Sequence, residues 1–287
     1  MGRIAYVNGR FVPQAEAAVH IEDRGYQFAD AVYEVWALFE GALADAAGHF
    51  ARLDRSLGEL RIPQPMSRRA LTLVLKEAVR RNRIRDGIVY LQVSRGQAPR
   101  DHAFPKHETP PGVVITVKAI DPGSAEAKAA KGVKVITVPE NRWGRCDIKT
   151  IGLLPNALAR QAAYEAGAYE AWFVDDMGMV TEGAATNVWI IDKDGVLRTR
   201  ADNSNILRGV TRGTLFEVMA AEGMKVDHTP FTPKEAQEAR EAFITGASTL
   251  VTPVIAVDGT PVGDGTPGPV ARRLRSLYIE QAKAKAV

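Results

Sequence analysis

The stretch RCDIKTIGLLPN, residues 145–156, sets one lysine, Lys149, among Ile148, Ile151, Leu153 and Leu154. A lysine drawn into apolar surroundings loses hydration, which favours the neutral amine and makes it a better nucleophile. The ordinary alternative is a strand-edge lysine whose stem packs on its neighbours while its head reaches water. For the catalytic reading an electrophile is needed, most often a carbonyl with which the amine forms a Schiff base.

Other stretches could complete such chemistry. In ILRGVTRGTLFEV, residues Gly209, Val210 and Thr211 open an amphipathic helix whose free backbone N–H groups and dipole suit a phosphate; an ordinary N-cap by Thr211 is the plainer reading. GASTLVTPV offers Gly246, Ala247, Ser248 and Thr249, small enough for a backbone to approach a ligand. Arg52 in HFARLDRS suits phosphate oxygens, or is a surface arginine on its helix. Glu182 in MVTEGAATN stands between β-rich segments, either sheltered beside a ligand or turning at a strand end. SRGQAPRDHAFP places Arg95, Arg100 and His102 in one loop, where Arg100 and His102 could clamp a carboxylate. Pyridoxal phosphate would use all of these: a lysine, an anion site, a carboxylate for its ring nitrogen and a group to orient the substrate.

The elements that must position them are legible. Asn8-Gly9 and Glu40-Gly41 sit between β-rich runs as hairpin turns. HFARLDRSLGELRI and SRRALTLVLKEAVRRN have helical spacing, and GIVYLQVSRG and GVVITVKAI read as buried strands. Beyond AIDPGSAEAKAAKG, the best candidate for a boundary or linker, come strands GVKVITV, EAWFVDD, MVTEGAATNVWIID and AFIT with helices PNALARQAAYEAG and TRGTLFEVMAAEG. Pro155 suits a helix start and Gly167 its end. The pattern predicts an α+β protein.

Composition narrows the function. The chain of 287 residues carries 37 basic and 34 acidic side chains, a net +3 too balanced for a nucleic-acid partner. The run Arg80, Arg81, Arg83 and Arg85 reads as the solvated C-terminal end of a helix. A lone Cys146 excludes an intramolecular disulfide, and the five histidines lack zinc-site spacing, so no metal is expected. With neither a leader pattern nor a long apolar run, a soluble cytoplasmic protein without membrane contact is expected.

Taken in order, Tyr33 with EVWALFEG, HFARLDRS, YLQVSRGQAPRDHAFP, RCDIKTIGLLPN, TEGAATNVW, ILRGVTR and ITGASTLVTPV resemble the class IV pyridoxal-phosphate aminotransferases of fold type IV over nearly the whole chain. That resemblance implies a smaller N-terminal α/β domain (residues 1–118), a linker (119–124) and a larger domain (125–287) with a β-barrel-like sheet, the cofactor lying between the domains. It makes Lys149 the Schiff-base residue and acid/base, Glu182 the partner of the ring nitrogen, and Leu207 a packing surface for the ring. Arg52, Val210 and Thr211 would bind the phosphate. Ala247 stands where relatives often have a phosphate-binding hydroxyl, so Ser248 or the backbone would serve instead; Ala184 and Ala185 likewise replace serines. RGxxxRxHxFP resembles the D-amino-acid (D-alanine) transaminases, in which Arg100, His102 and Tyr33 would trap the substrate carboxylate across a homodimer interface. The implied reaction moves an amino group from a D-amino acid such as D-alanine to a 2-oxo acid such as 2-oxoglutarate by a ping-pong mechanism. Alternatives are a branched-chain L-amino-acid or (R)-amine transaminase, or an aminodeoxychorismate lyase.

Overall fold

Asn8 and Gly9 adopt positive φ angles, 45° and 93°, and fold β1 (Ile4–Val7) back on β2 (Arg10–Pro13). A computed structural model describes residues 2–287. After the short α1 (Arg24–Phe28) come β3 (Ala31–Phe39) and β4 (Ala42–Leu43), joined by Glu40 and Gly41, again at positive φ as their sequence predicts. Next follow α2 (Ala46–Glu59), α3 (Arg68–Asn82), β5 (Gly87–Ser94) and β6 (Gly112–Ala119). The six strands form an antiparallel sheet in the order β2-β1-β6-β5-β3-β4. Ser67 caps α3 by accepting from the Ala70 N–H, and Leu71, Leu75, Ala78 and Val79 form its buried stripe. That stripe meets Trp36, Leu91 and Ile115 in one core. Burying Leu75 completely contributes about 2–3 kcal/mol.

Ala119–Gly132, read as a boundary or linker, contains the division between the two units, at Asp121 and Pro122, but most of it forms α4 (Pro122–Lys131): Pro122 suits a first helical turn, and Ala, Glu and Lys are strong helix formers. Only Ile120 and Asp121 separate β6 from it. There follow β7 (Val133–Pro139), α5 (Leu154–Glu165), β8 (Glu170–Val174), β9 (Val180–Gly183), β10 (Asn187–Ile191) and β11 (Leu197–Arg198). Then come α6 (Val210–Ala221), β12 (Val226–Asp227), α7 (Pro233–Gln237), β13 (Glu241–Gly246), β14 (Leu250–Val257), β15 (Thr260–Pro261) and α8 (Pro269–Ala284). The strands build a mixed sheet ordered β12-β11-β10-β13-β14-β7-β8-β9, with β15 on β14, curled into a half-barrel. Its core includes Trp172, Ile190, Phe231 and Ile244. The α+β class read from the sequence holds.

The units are not contiguous in sequence. One comprises the chain to Asp121 with Ile148–Gly152 and Ala286–Val287; the other comprises Pro122–Asp147 and Leu153–Lys285. Lys149, expected within the C-terminal part, thus belongs to the first unit. The cause is local: Ile148 is buried in that unit's core, the Tyr33 N–H donates to the Lys149 carbonyl (3.0 Å), and the Ile151 N–H donates to that of Ala31 (3.3 Å). Among the described residues no helix is long and apolar enough to cross a membrane.

Candidate active site

Lys149 sits on a short extension of the first sheet. Its peptide runs beside the start of β3, bridging Val32 to Thr150, while β4 pairs with the other end of β3 at Leu38 and Phe39. The side chain is half-buried, with Nζ 4.1 Å from the centroid of the Tyr33 ring, a cation–π contact. Tyr33 packs in turn on Tyr90, with centroids 5.7 Å apart. The apolar neighbours read from the sequence contribute unequally: Ile148 is buried, but Leu153 and Leu154 are exposed. What shelters the amine is an aromatic ring distant in sequence.

Next to Tyr33, Glu34 points into the opposite side of β3 and is fully buried. It accepts from Arg52 Nε (2.8 Å) and Nη2 (2.7 Å), and lies 2.7 Å from His49 Nδ1. Burial alone would push the Glu34 carboxyl up; the charge and hydrogen bonds of Arg52 and the His49 contact reverse that and bring it down to about 2. Burial lowers the His49 imidazole, a shift the neighbouring Glu34 only partly offsets. Arg52, expected at a phosphate, therefore commits two of its nitrogens to Glu34.

The loop after β5 separates Arg95 from Arg100 and His102, which the sequence grouped. Arg95 is buried and binds Asp30 through Nε (2.7 Å) and Nη2 (2.9 Å). Arg100 and His102 are exposed, and both lie against Phe28, at 4.7 Å from guanidinium carbon to ring centroid and 5.4 Å between ring centroids.

In the second unit Glu182, at the end of β9, is buried yet well served by donors. It accepts from Arg142 Nη1 (2.5 Å), from Asn187 Nδ2 (3.0 Å) and from the Leu207 N–H (3.1 Å to either oxygen). Arg142 also bonds Glu140 at 2.6 Å and 2.9 Å. Burial would lower its guanidinium, but Glu140 and Glu182 more than compensate and raise it above the ordinary value. One guanidinium is thus shared by two carboxylates.

Asn187 links this carboxylate to the start of α6. Its Nδ2 also donates to the Leu207 carbonyl (2.9 Å), and its Oδ1 lies where a Cβ on Gly209 would have to go. Gly209, not Thr211, is the N-cap, and no side chain caps the helix. Thr211 Oγ1 instead faces the Tyr278 hydroxyl at 3.5 Å. A second turn, Gly246–Thr249, lies alongside: a Cβ on Gly246 would stand 3.3 Å from the Ala185 carbonyl. Arg275 supports it from behind, donating to the Val251 carbonyl (2.7 Å). Ala247 is half-buried and Ser248 exposed. Despite its alanines, the turn after Glu182 is held by Asn156, which donates to the Ala184 carbonyl (2.7 Å), and by Glu170, which accepts from Thr186 Oγ1 (3.2 Å).

The structure thus gathers Glu182, Leu207, Val210, Thr211, Ala247 and Ser248 in the second unit, and Tyr33 with Lys149 in the first, where Arg52, Arg100 and His102 also lie. Sequence reasoning missed Glu34, His49, Arg142 and Asn187 as supports. A glutamate within the apolar run of β3 was the one available signal; Arg142 gave none. The donor set fits pyridoxal phosphate: an uncapped helix start beside a glycine that admits no Cβ suits a phosphate, and a buried carboxylate paired with Arg142 suits a protonated ring nitrogen.

The family model described as amino-transferase class IV matches residues 31–257. The D-alanine aminotransferase of Bacillus licheniformis is 40% identical over 96% of this chain and 98% of its own length. That of Listeria innocua is 40% identical over 96% of this chain and 94% of its own. A branched-chain amino acid aminotransferase from T.th., crystallised with pyridoxamine 5'-phosphate, superposes with a TM-score of 0.89 at 30% identity, covering 99% of this chain and 95% of that one. The branched-chain amino acid aminotransferase from Escherichia coli shares the fold, with a TM-score of 0.87 at 23% identity over 98% and 95% of the two chains.

Proposed function

This chain belongs to the class IV aminotransferases, and from that premise we propose that it is a pyridoxal-phosphate enzyme moving the amino group of a D-amino acid such as D-alanine to a 2-oxo acid such as 2-oxoglutarate. The observation that carries the reading is the Lys149 amine, held over Tyr33 on a peptide bonded to β3. The D-alanine aminotransferases at 40% identity favour a D-amino acid over the branched-chain alternative, whose cited structures reach 30%.

When bound, the cofactor supplies an aldehyde that condenses with amines and a ring that withdraws electrons from the substrate α-carbon. Lys149 holds it through the amine and then carries the α-proton of the substrate. Glu182, fixed by Arg142, Asn187 and the Leu207 N–H, keeps a proton on the ring nitrogen. Val210 and Thr211 bind the phosphate through the start of α6, with Arg52 adding charge and the Ala247–Ser248 turn adding backbone donors; Leu207 packs on the ring. Arg100, His102 and Tyr33 grip the substrate carboxylate. The amino group would stay with the enzyme when the first 2-oxo acid departs and leave on the second 2-oxo acid as a new amino acid, which makes the kinetics ping-pong. A homodimer working in the cytoplasm belongs to the same reading.

An absorbance scan of the purified protein with D-alanine, L-leucine and (R)-1-phenylethylamine, each alone, tests it. Bleaching of the near-visible cofactor band by D-alanine alone is expected. Bleaching by L-leucine or the amine instead would move the enzyme to the corresponding alternative, and pyruvate release without an amino acceptor would indicate a lyase.

A further inference from the structure

Arg100 and His102 are exposed side chains on a loop, yet the loop beneath them is tied down from both sides. Arg24, the first residue of α1, is 3% exposed and binds Asp30 through Nε at 2.8 Å. Its Nη1 donates to the Asp101 carbonyl (2.6 Å) and the Ala103 carbonyl (3.2 Å), and its Nη2 reaches the His102 carbonyl (3.5 Å). One guanidinium therefore holds three consecutive carbonyls centred on His102. Only a planar fork of donors can do this; an ammonium is a single point. Farther along, Phe104 packs under Arg95 at 3.6 Å and Arg61 at 4.9 Å from its centroid. Asp30 joins the two ends, since it binds both Arg24 and Arg95.

Phe28, the last residue of α1, fixes the side chains themselves. The Arg24 guanidinium lies 4.8 Å from its centroid and that of Arg100 4.7 Å, with the His102 ring 5.4 Å away. A solvated arginine gripping a carboxylate first loses rotamer freedom; one already laid on an aromatic face has lost much of it beforehand. We propose that Arg24 and Phe28 are positioning residues that mount Arg100 and His102 in the direction a substrate carboxylate requires. This rests on the reading of Arg100 and His102 as the carboxylate clamp. The mount is built within one chain and serves equally a clamp completed by a second copy.

The test compares Arg100→Ala, Phe28→Leu, Phe28→Tyr and Arg24→Lys in the holoenzyme, with KM and kcat for D-alanine and a melting curve for each. Phe28→Leu keeps apolar volume but removes the aromatic face, and should raise KM roughly 5- to 10-fold with kcat within about 2-fold. Phe28→Tyr restores the face and should restore KM, a rescue that a merely structural role would not give. Arg24→Lys should raise KM by at least about 10-fold, because it releases the three carbonyls; if it fails to fold, the Phe28 pair decides. An Arg100→Ala variant with raised KM beside a Phe28→Leu variant with unchanged KM, or with kcat lowered as much as KM is raised, overturns the mount alone. An unchanged KM in Arg100→Ala overturns the clamp, and the mount with it.

Discussion

The Lys149 Nζ rests 4.1 Å above the Tyr33 ring, while the Tyr33 N–H binds the carbonyl of Lys149 itself. Backbone and side chain of the lysine are thus both referred to one residue. Lys149→Ala should lower D-alanine turnover by at least about 1,000-fold, the span an acid/base and nucleophile supplies, with no change in circular dichroism. Tyr33→Phe keeps the face that holds the amine and should retain most of kcat, whereas Tyr33→Ala should lose it. Steady-state assays of the three variants check this, and turnover surviving in Lys149→Ala would remove the central claim.

Acid should attack the first unit through Glu34. Its carboxyl falls from an ordinary 4.5 to about 2 on folding, so its contribution is complete above pH 4.5 and disappears as pH drops toward 2. At about 1.4 kcal/mol per pH unit, that contribution is on the order of 3 kcal/mol. His49 acts with the same sign: lowered from 6.5, it takes up a proton more readily when unfolded, so its share begins to be lost below that pH. Denaturant titrations of wild type and Glu34→Gln should differ most above pH 4.5 and converge toward pH 2. A gap that stays constant with pH would refute the assignment.

Gly209→Ala offers a test of the link between the start of α6 and Glu182, the two places proposed for the ends of the cofactor. The added Cβ collides with the Asn187 side chain, which cannot yield without releasing Glu182 and the Leu207 carbonyl. The expected cost is about 1–3 kcal/mol of stability, the usual range for forced overpacking, together with weaker retention of pyridoxal phosphate on dialysis. Cofactor retention equal to wild type would mean that the helix start and Glu182 do not act together.

Local signals carried much of the fold into the sequence. Asn8-Gly9 specified its hairpin because few residues tolerate two positive φ angles, and Ser67 marked its helix because its hydroxyl meets a free N–H one turn on. The helix that follows Asp121 was hidden for an equally local reason: low apolar content in AEAKAAK conceals strong helix propensity. Residues offered as site candidates were conspicuous by type in odd company, as with Lys149 and Glu182. Their supports were not, because Arg142 meets Glu182 across 40 residues and Arg24 meets Asp101 across 77, and no periodicity records such pairings.

The interleaving of the two units sets a timetable for synthesis. A ribosome that has delivered residues up to Asp121 has made every named strand and helix of the first unit but not Ile148–Gly152, which run beside the start of β3. Until those five residues emerge, Ala31–Tyr33 present an unpaired edge, a template for pairing with other chains. The peptide that brings Lys149 to Tyr33 is therefore also the one that closes this edge, so that placing the amine over its aromatic ring and protecting the nascent chain are completed by the same event.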